Sequence, residues 1–116
     1  MMQNCRIDNV FRPAVGKWKP NILLNLSERP LRISELEDRL PDAHPRVLKR
    51  QMRSLEADGL VQKKTYTETP PKVEYSLTEY GEALAAILDE LIKSATEHDI
   101  LRKYDKAAEN ANKRIR

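Results

Sequence analysis

Apolar residues recur at helical spacing along most of this chain, and the phase of the repeat divides it into elements. Ile7, Val10, Phe11 and Val15 outline a short first helix that ends near Pro13 or Gly16. Trp18, Ile22, Leu23 and Leu26 mark a second helix. Pro20 fits it only in the first turn, where the missing N–H costs nothing. Arg29-Pro30 breaks that pattern, and Ile33, Leu36 and Leu40 begin another. Ser34 and Glu37 have capping-box spacing, and Pro41-Asp42 supplies a stop and a tight turn. A fourth helix fits HPRVLKRQMRSLEADG, from His44 to Gly59, with Pro45 in its first turn and Gly59 as its C-terminal residue.

After Gly59 the period changes. LVQKKTY and KVEYSLT read as two strands. Val73, Tyr75 and Leu77 alternate with Lys72, Glu74 and Ser76, which predicts one buried and one wet face. The connection from Thr67 to Pro71 is stiff, and its two prolines discourage pairing with another chain. Thr78 then caps a long helix with Glu79 and Glu82 in its first turn. Leu84, Ile87, Leu88, Leu91, Ile92 and Ala95 keep a heptad-like rhythm. That stripe is too broad for one small domain to bury, so it predicts a partner copy. A membrane-surface helix is the competing reading, opposed by Glu82, Asp89 and Glu90, which anionic lipid would repel. Ile100, Leu101 and Tyr104 remain helix-compatible, and beyond Asp105 the tail is charged and rich in alanine.

The fourth helix has two faces. Leu48, Met52 and Leu55 form an apolar stripe, and Arg46, Lys49, Arg50 and Arg53 line the other side. Such a helix rests its back on a core and turns its front to a polyanion. Helix, short turn, basic helix and basic hairpin form the layout of a winged helix that binds duplex DNA. The expected fold is therefore mainly α with a small β-hairpin: a winged helix-turn-helix whose long C-terminal helix meets a partner copy to form a homodimer. Residues 1–98 are expected to form the DNA-binding domain, and residues 99–116 a charged helical extension or tail.

Composition sharpens this picture. The chain has 116 residues, enough for one domain with a modest core, and a net charge of only +3. The distribution says more than the total: Arg46, Lys49, Arg50, Arg53, Lys63 and Lys64 cluster, while the acids gather at Glu35–Asp38 and Glu79–Glu90. No signal peptide or membrane span is expected, so a cytoplasmic protein is. One cysteine forms no internal disulfide framework, and one cysteine with the distant His44 and His98 gives no metal-ligand spacing. No nucleophile elbow or glycine-rich phosphate loop is present, so neither an enzyme nor a cofactor is expected.

Each candidate residue has a chemical rationale and a plainer alternative. Arginine forks onto guanine O6 and N7, whereas lysine acts on phosphate as a point charge. Arg46 and Arg50 are therefore assigned to base edges, and Lys49 and Arg53 to the backbone. Arg53 has an equal alternative in an ion pair with Glu56 or Glu37. Lys63, Lys64 and Lys72 on the hairpin suit phosphate or the minor groove, with Lys63 equally suited to solubilising a strand. Lys17 and Lys19 fit an ordinary solvated helix start better than a backbone contact. Trp18, Tyr66, Tyr75 and Tyr80 are expected to pack. Cys5 is either a buried inert thiol or, beside Arg6 and ahead of a helix, a thiolate-prone sensor.

The stretches VGKWKPNILLNL, RISELEDRL, MRSLEADGLV and PPKVEYSLTEYG resemble the HxlR-type winged helix-turn-helix regulators, relatives of the MarR group. The resemblance runs from about Cys5 to about Leu91. It implies a dimeric, cytoplasmic, DNA-binding transcriptional regulator, with His44–Asp58 as recognition helix and Leu60–Leu77 as wing. It also implies a dimer interface built from the N-terminal segment and the helix after the wing, here Val10, Phe11, Leu84, Leu88, Leu91 and Ile92. Many members carry a cysteine where Cys5 stands, and some respond through it to oxidants or electrophiles. His44-Pro45 departs from the small hydroxyl residues usual at that position. The function expected is a homodimer on a roughly palindromic operator, with no identified effector. The competing reading is a winged-helix module that binds protein or RNA without operator preference.

Overall fold

The computed structural model describes Arg12 and residues 16–98. The expected first helix, with Val10, Phe11 and Cys5, lies outside the described residues, as does the extension at 99–116. The elements run α1 (Lys19–Glu28), α2 (Ile33–Arg39), α3 (Pro45–Ala57), β1 (Val61–Tyr66), β2 (Lys72–Leu77) and α4 (Glu79–Glu97). They form a winged helix-turn-helix. Residues up to Ala86 belong to one compact unit, and Ile87 onward to a second.

Local chemistry sets the ends of these elements. Pro20 sits in the first turn of α1, as its missing donor requires. The expected capping pair of α2 is corrected by one turn geometry. Arg32, not Ser34, is the N-cap, and the Glu35 carboxylate accepts its backbone N–H at 2.9 Å. An arginine side chain has no acceptor to return the bond, so only the glutamate half of the box exists. Arg29 also reaches Glu35 at 2.9 Å, and Arg39 pairs with Glu28, so two arginines tie α1 to α2. α3 starts at Pro45 and is closed by Gly59, whose φ of 78° lies in the left-handed region that glycine adopts without strain.

The core is wholly apolar. Ile22, Leu23 and Leu26 of α1 meet Leu36 of α2, and Leu48, Met52 and Leu55 of α3, with Leu60, Val61 and Leu77 from the hairpin. No polar or charged side chain is buried among the described residues. Trp18 departs from expectation, since it is half-buried at the α1 N-cap with Lys17 Nζ 5.2 Å from its ring centre. Tyr80 departs further: it is 46% exposed.

β1 and β2 pair antiparallel, with Val61 opposite Leu77 and Tyr66 opposite Lys72. The sharp alternation expected of β2 is absent, and every residue before Leu77 is half-buried. An isolated bridge on the far side of β2 accounts for part of this. Leu31 exchanges two backbone hydrogen bonds with Tyr75, of 3.0 and 2.8 Å, and covers the far edge of β2. β2 is therefore bonded on both sides at Tyr75, and it also packs on α1 and α2. Among the described residues nothing pairs with the outer edge of β1, and its lysines guard that edge against pairing with another chain.

The hairpin is locked to α4 at one carbonyl. Leu60 O accepts the N–H of Thr78, while Thr78 Oγ1 donates to Gly59 O at 2.6 Å and accepts from Gly81 N at 3.1 Å. Thr78 is thus the expected cap. A Cβ on Gly81 would collide with Leu60 O, so this position admits only glycine. In most helices Gly→Ala stabilises by about 1 kcal/mol. Gly81→Ala should instead destabilise by at least about 1 kcal/mol in denaturant melts, and a stabilised variant would contradict this packing.

The Arg32 N–H, then Arg29, hold the Glu35 carboxyl below its ordinary value of 4.5. A lowered folded-state value adds stability above the ordinary value, lost as pH falls through the folded one. Wild type should therefore lose stability in acid more steeply than Glu35→Gln. Parallel acid melting curves would contradict it.

Candidate nucleic-acid interface

The interface begins with how α3 is seated. Leu48 and Leu55 are 0% exposed and Met52 1%, and α3 packs on α2 and β1. Burying these three fixes the rotation of the helix about its axis. Arg46, Lys49, Arg50 and Arg53 then have to face outward, and all four are exposed. None joins an ion pair among the described residues, so the alternative of Arg53 paired with Glu56 or Glu37 is not realised. Gln51 is half-buried on the flank.

The hairpin divides its lysines. Successive strand residues point to opposite faces, so Lys63 and Lys64, though both exposed, cannot serve one contact. Lys63 lies opposite Tyr75 and Lys64 opposite Glu74. Lys64 joins Lys72 over the ring of Tyr66, at 4.9 and 5.0 Å from its centre. Tyr66 therefore packs as expected, but against two ammonium groups, which its electron-rich face attracts. Lys72 is held additionally by Glu74 at 3.5 Å and is partly covered, so its charge is less available than that of Lys64. Beside them an open polar groove of about 360 Å³ is lined by Arg29, Arg32, Ser34, Glu35, Lys72 and Glu74. No periodicity marks this groove in the sequence, because its lining comes from the α1–α2 connection, the start of α2 and the first residues of β2.

The pieces now in place are a helix-turn-helix, an outward cationic stripe on its second helix, and a lysine-bearing hairpin. The match to the HxlR-like helix-turn-helix family covers residues 14–101. This chain belongs to that family.

Among its relatives, YtcD of Bacillus subtilis, an uncharacterized HTH-type transcriptional regulator, is 40% identical over 95 residues, covering 82% of this chain and 75% of that protein. An uncharacterized HTH-type transcriptional regulator of Methanothermobacter thermautotrophicus is 41% identical over 87 residues, covering 75% of this chain and 66% of its own length. The chain is also similar to the redox regulator HypR in its oxidized form, with a TM-score of 0.75 and 34% identity over 80% of this chain and 96% of that one. As a member of the HxlR-like family, the chain is a helix-turn-helix transcriptional regulator and not an enzyme. No group of His, Cys, Asp and Glu among the described residues could hold a metal, and no described helix is long and apolar enough to cross a membrane.

The expectation that Arg50 meets base edges and Lys64 meets phosphate yields a measurable contrast. Arg50→Ala should cost about 1–3 kcal/mol and relax base preference, while Lys64→Ala should weaken all duplexes alike and lower the salt slope by about 1. Equal losses with unchanged slopes would contradict the assignment.

Proposed function

We propose that this HxlR-like chain is a sequence-specific DNA-binding regulator acting as a homodimer on a roughly palindromic operator. The observation that carries the reading is the stripe of four exposed cations on α3, without ion pairs among the described residues and held outward by the helix's buried face. Arg46 and Arg50 read base edges, Lys49 and Arg53 hold phosphates, and Lys64, with Lys63 and Lys72 in lesser roles, engages the backbone beside the site. Two copies would place their α3 helices in successive major grooves about 34 Å apart. Residues 1–98 form the binding domain in this reading, and the protein works in the cytoplasm.

The second unit supports dimerisation. Ile87 is 63% exposed, Leu91 64% and Ile92 41%, with Leu88 half-buried beside them. A run of large apolar side chains left in water favours a partner surface. Leu84 has a different part from the one expected: it is only 8% exposed within its own chain and belongs to the first unit's core. Val10 and Phe11 complete the interface in this reading. Cys5 is its oxidant- or electrophile-responsive thiol, a role suggested by similarity to HypR, a redox regulator known in oxidized and reduced forms.

Duplexes selected from random-sequence DNA by the full chain test the proposal. The expected winners carry two inverted half-sites, resist competition by unrelated DNA and RNA, and bind a dimer. Replacing Ile87 and Leu91 together by Asp should give monomers and lower operator affinity at least about 100-fold. A thiol oxidant should shift the affinity of wild type and leave Cys5→Ser unchanged. Selection without a preferred sequence would refute operator recognition, a persistent dimer would refute the interface, and indifference to oxidant would refute the role of Cys5.

A further inference from the structure

One polar side chain at the reading surface is unexplained by the basic stripe. His44 precedes α3 in extended backbone, and its ring Nδ1 accepts the backbone N–H of Arg46 at 3.1 Å. Pro45, at the first helical position, has no N–H to offer, so Arg46 supplies the first free donor of the turn. A ring nitrogen that accepts does not carry the proton, and a neutral imidazole has one N–H; that N–H is therefore on Nε2. The residue is exposed, and among the described residues its ring makes no other hydrogen bond. The cap thus does two things at once. It closes the end of α3, and it fixes the tautomer and aim of a donor projecting from that end. This donor lies on the ring seated against the backbone of Arg46, the first cation of the stripe. A serine or threonine there would satisfy the same N–H with an oxygen but would present no second donor at ring length.

We infer that His44 is a specificity-determining residue, whose Nε2–H donates to an acceptor on a base edge in the major groove. The acceptors of suitable kind are guanine O6 or N7, adenine N7 and thymine O4, while the exocyclic amines of cytosine and adenine are donors and are rejected. The inference rests on the reading of α3 as a DNA-recognition helix. It adds a neutral, directional contact to the charged forks of Arg46 and Arg50. A phosphate contact attracts every duplex, whereas a donor of fixed aim at a base edge discriminates among bases.

His44→Ser separates the two duties, because serine is a preferred cap and lacks the ring. We expect an unchanged thermal midpoint. Affinity for the duplex preferred by wild type should fall about tenfold, reflecting two lost hydrogen bonds per dimer. Affinity for unrelated duplexes should stay constant, as should the salt slope, since a neutral donor releases no counterion. His44→Ala should lower the midpoint as well. Equal weakening on all duplexes would assign the donor to phosphate and overturn base readout. Unaltered operator affinity in His44→Ser would reduce the residue to a cap. If wild type selects no preferred duplex, the DNA-recognition reading falls and this inference with it; if it does, and His44→Ser binds identically, only the inference falls. Nitrogen-15 spectra of the wild-type ring give a second test that needs no variant. Nε2 should be protonated and Nδ1 bare in the free protein, and the Nε2–H signal should shift and resist exchange on adding the preferred duplex. A ring protonated on Nδ1, or an Nε2–H signal indifferent to DNA, would overturn it.

Discussion

The burial of Leu48, Met52 and Leu55 is the constraint on which the rest depends. Fully burying such side chains contributes about 1.5–3 kcal/mol each. On the opposite side, Arg46, Lys49, Arg50 and Arg53 stand three and four residues apart, and each like-charge neighbour pair costs only a few tenths of a kcal/mol. The apolar term is the larger by several-fold, so the fold tolerates a crowded cationic face that no ion pair among the described residues neutralises. Polyphosphate relieves that repulsion and releases counterions as it does so. The same asymmetry that orients the helix therefore makes its outer face the surface proposed here for binding DNA.

Around this helix, backbone contacts supply the accuracy that apolar packing does not. Leu60 O meets both Thr78 and the bare Cα of Gly81, which holds the hairpin and the start of α4 at one point. Leu31 bonds to Tyr75 from the other edge. The wing thus stands between two fixed attachments, and its Lys64 and Lys72 share the ring of Tyr66. A helix presented in this way needs a rigid base more than a large core, and the absence of buried polar side chains among the described residues fits that need.

Much of this was legible in the residues. The stripe Leu48–Met52–Leu55, the stop at Gly59, the Thr78 cap and both strands follow from periodicity and turn chemistry. What escaped is instructive. Leu31 has no periodic partner, so its bridge to Tyr75 on the far side of β2 could not be read from alternation. Arg32 is not a usual capping residue, and its role arises from a glutamate three residues on. Tyr80 reads as a packing aromatic, yet it lies exposed on α4, while Leu84 on the same helix turns into the core; spacing alone does not say which of two apolar neighbours a fold keeps. Lys63 and Lys64 look like a pair in the sequence and are divided by the pleat of the strand. His44 is visible in the sequence only as a departure from the usual hydroxyl, and its capping geometry gives it meaning.

Amide-shift mapping of the isotope-labelled chain, titrated with a duplex it selects, tests the central claim most directly. The largest shifts should fall on His44–Arg53 and on the hairpin from Lys63 to Lys72, with little change at Leu48, Met52 and Leu55 side-chain methyls or at the acidic residues Glu37 and Asp38. Shifts centred on the acidic side of α2, with the α3 stripe silent, would contradict it.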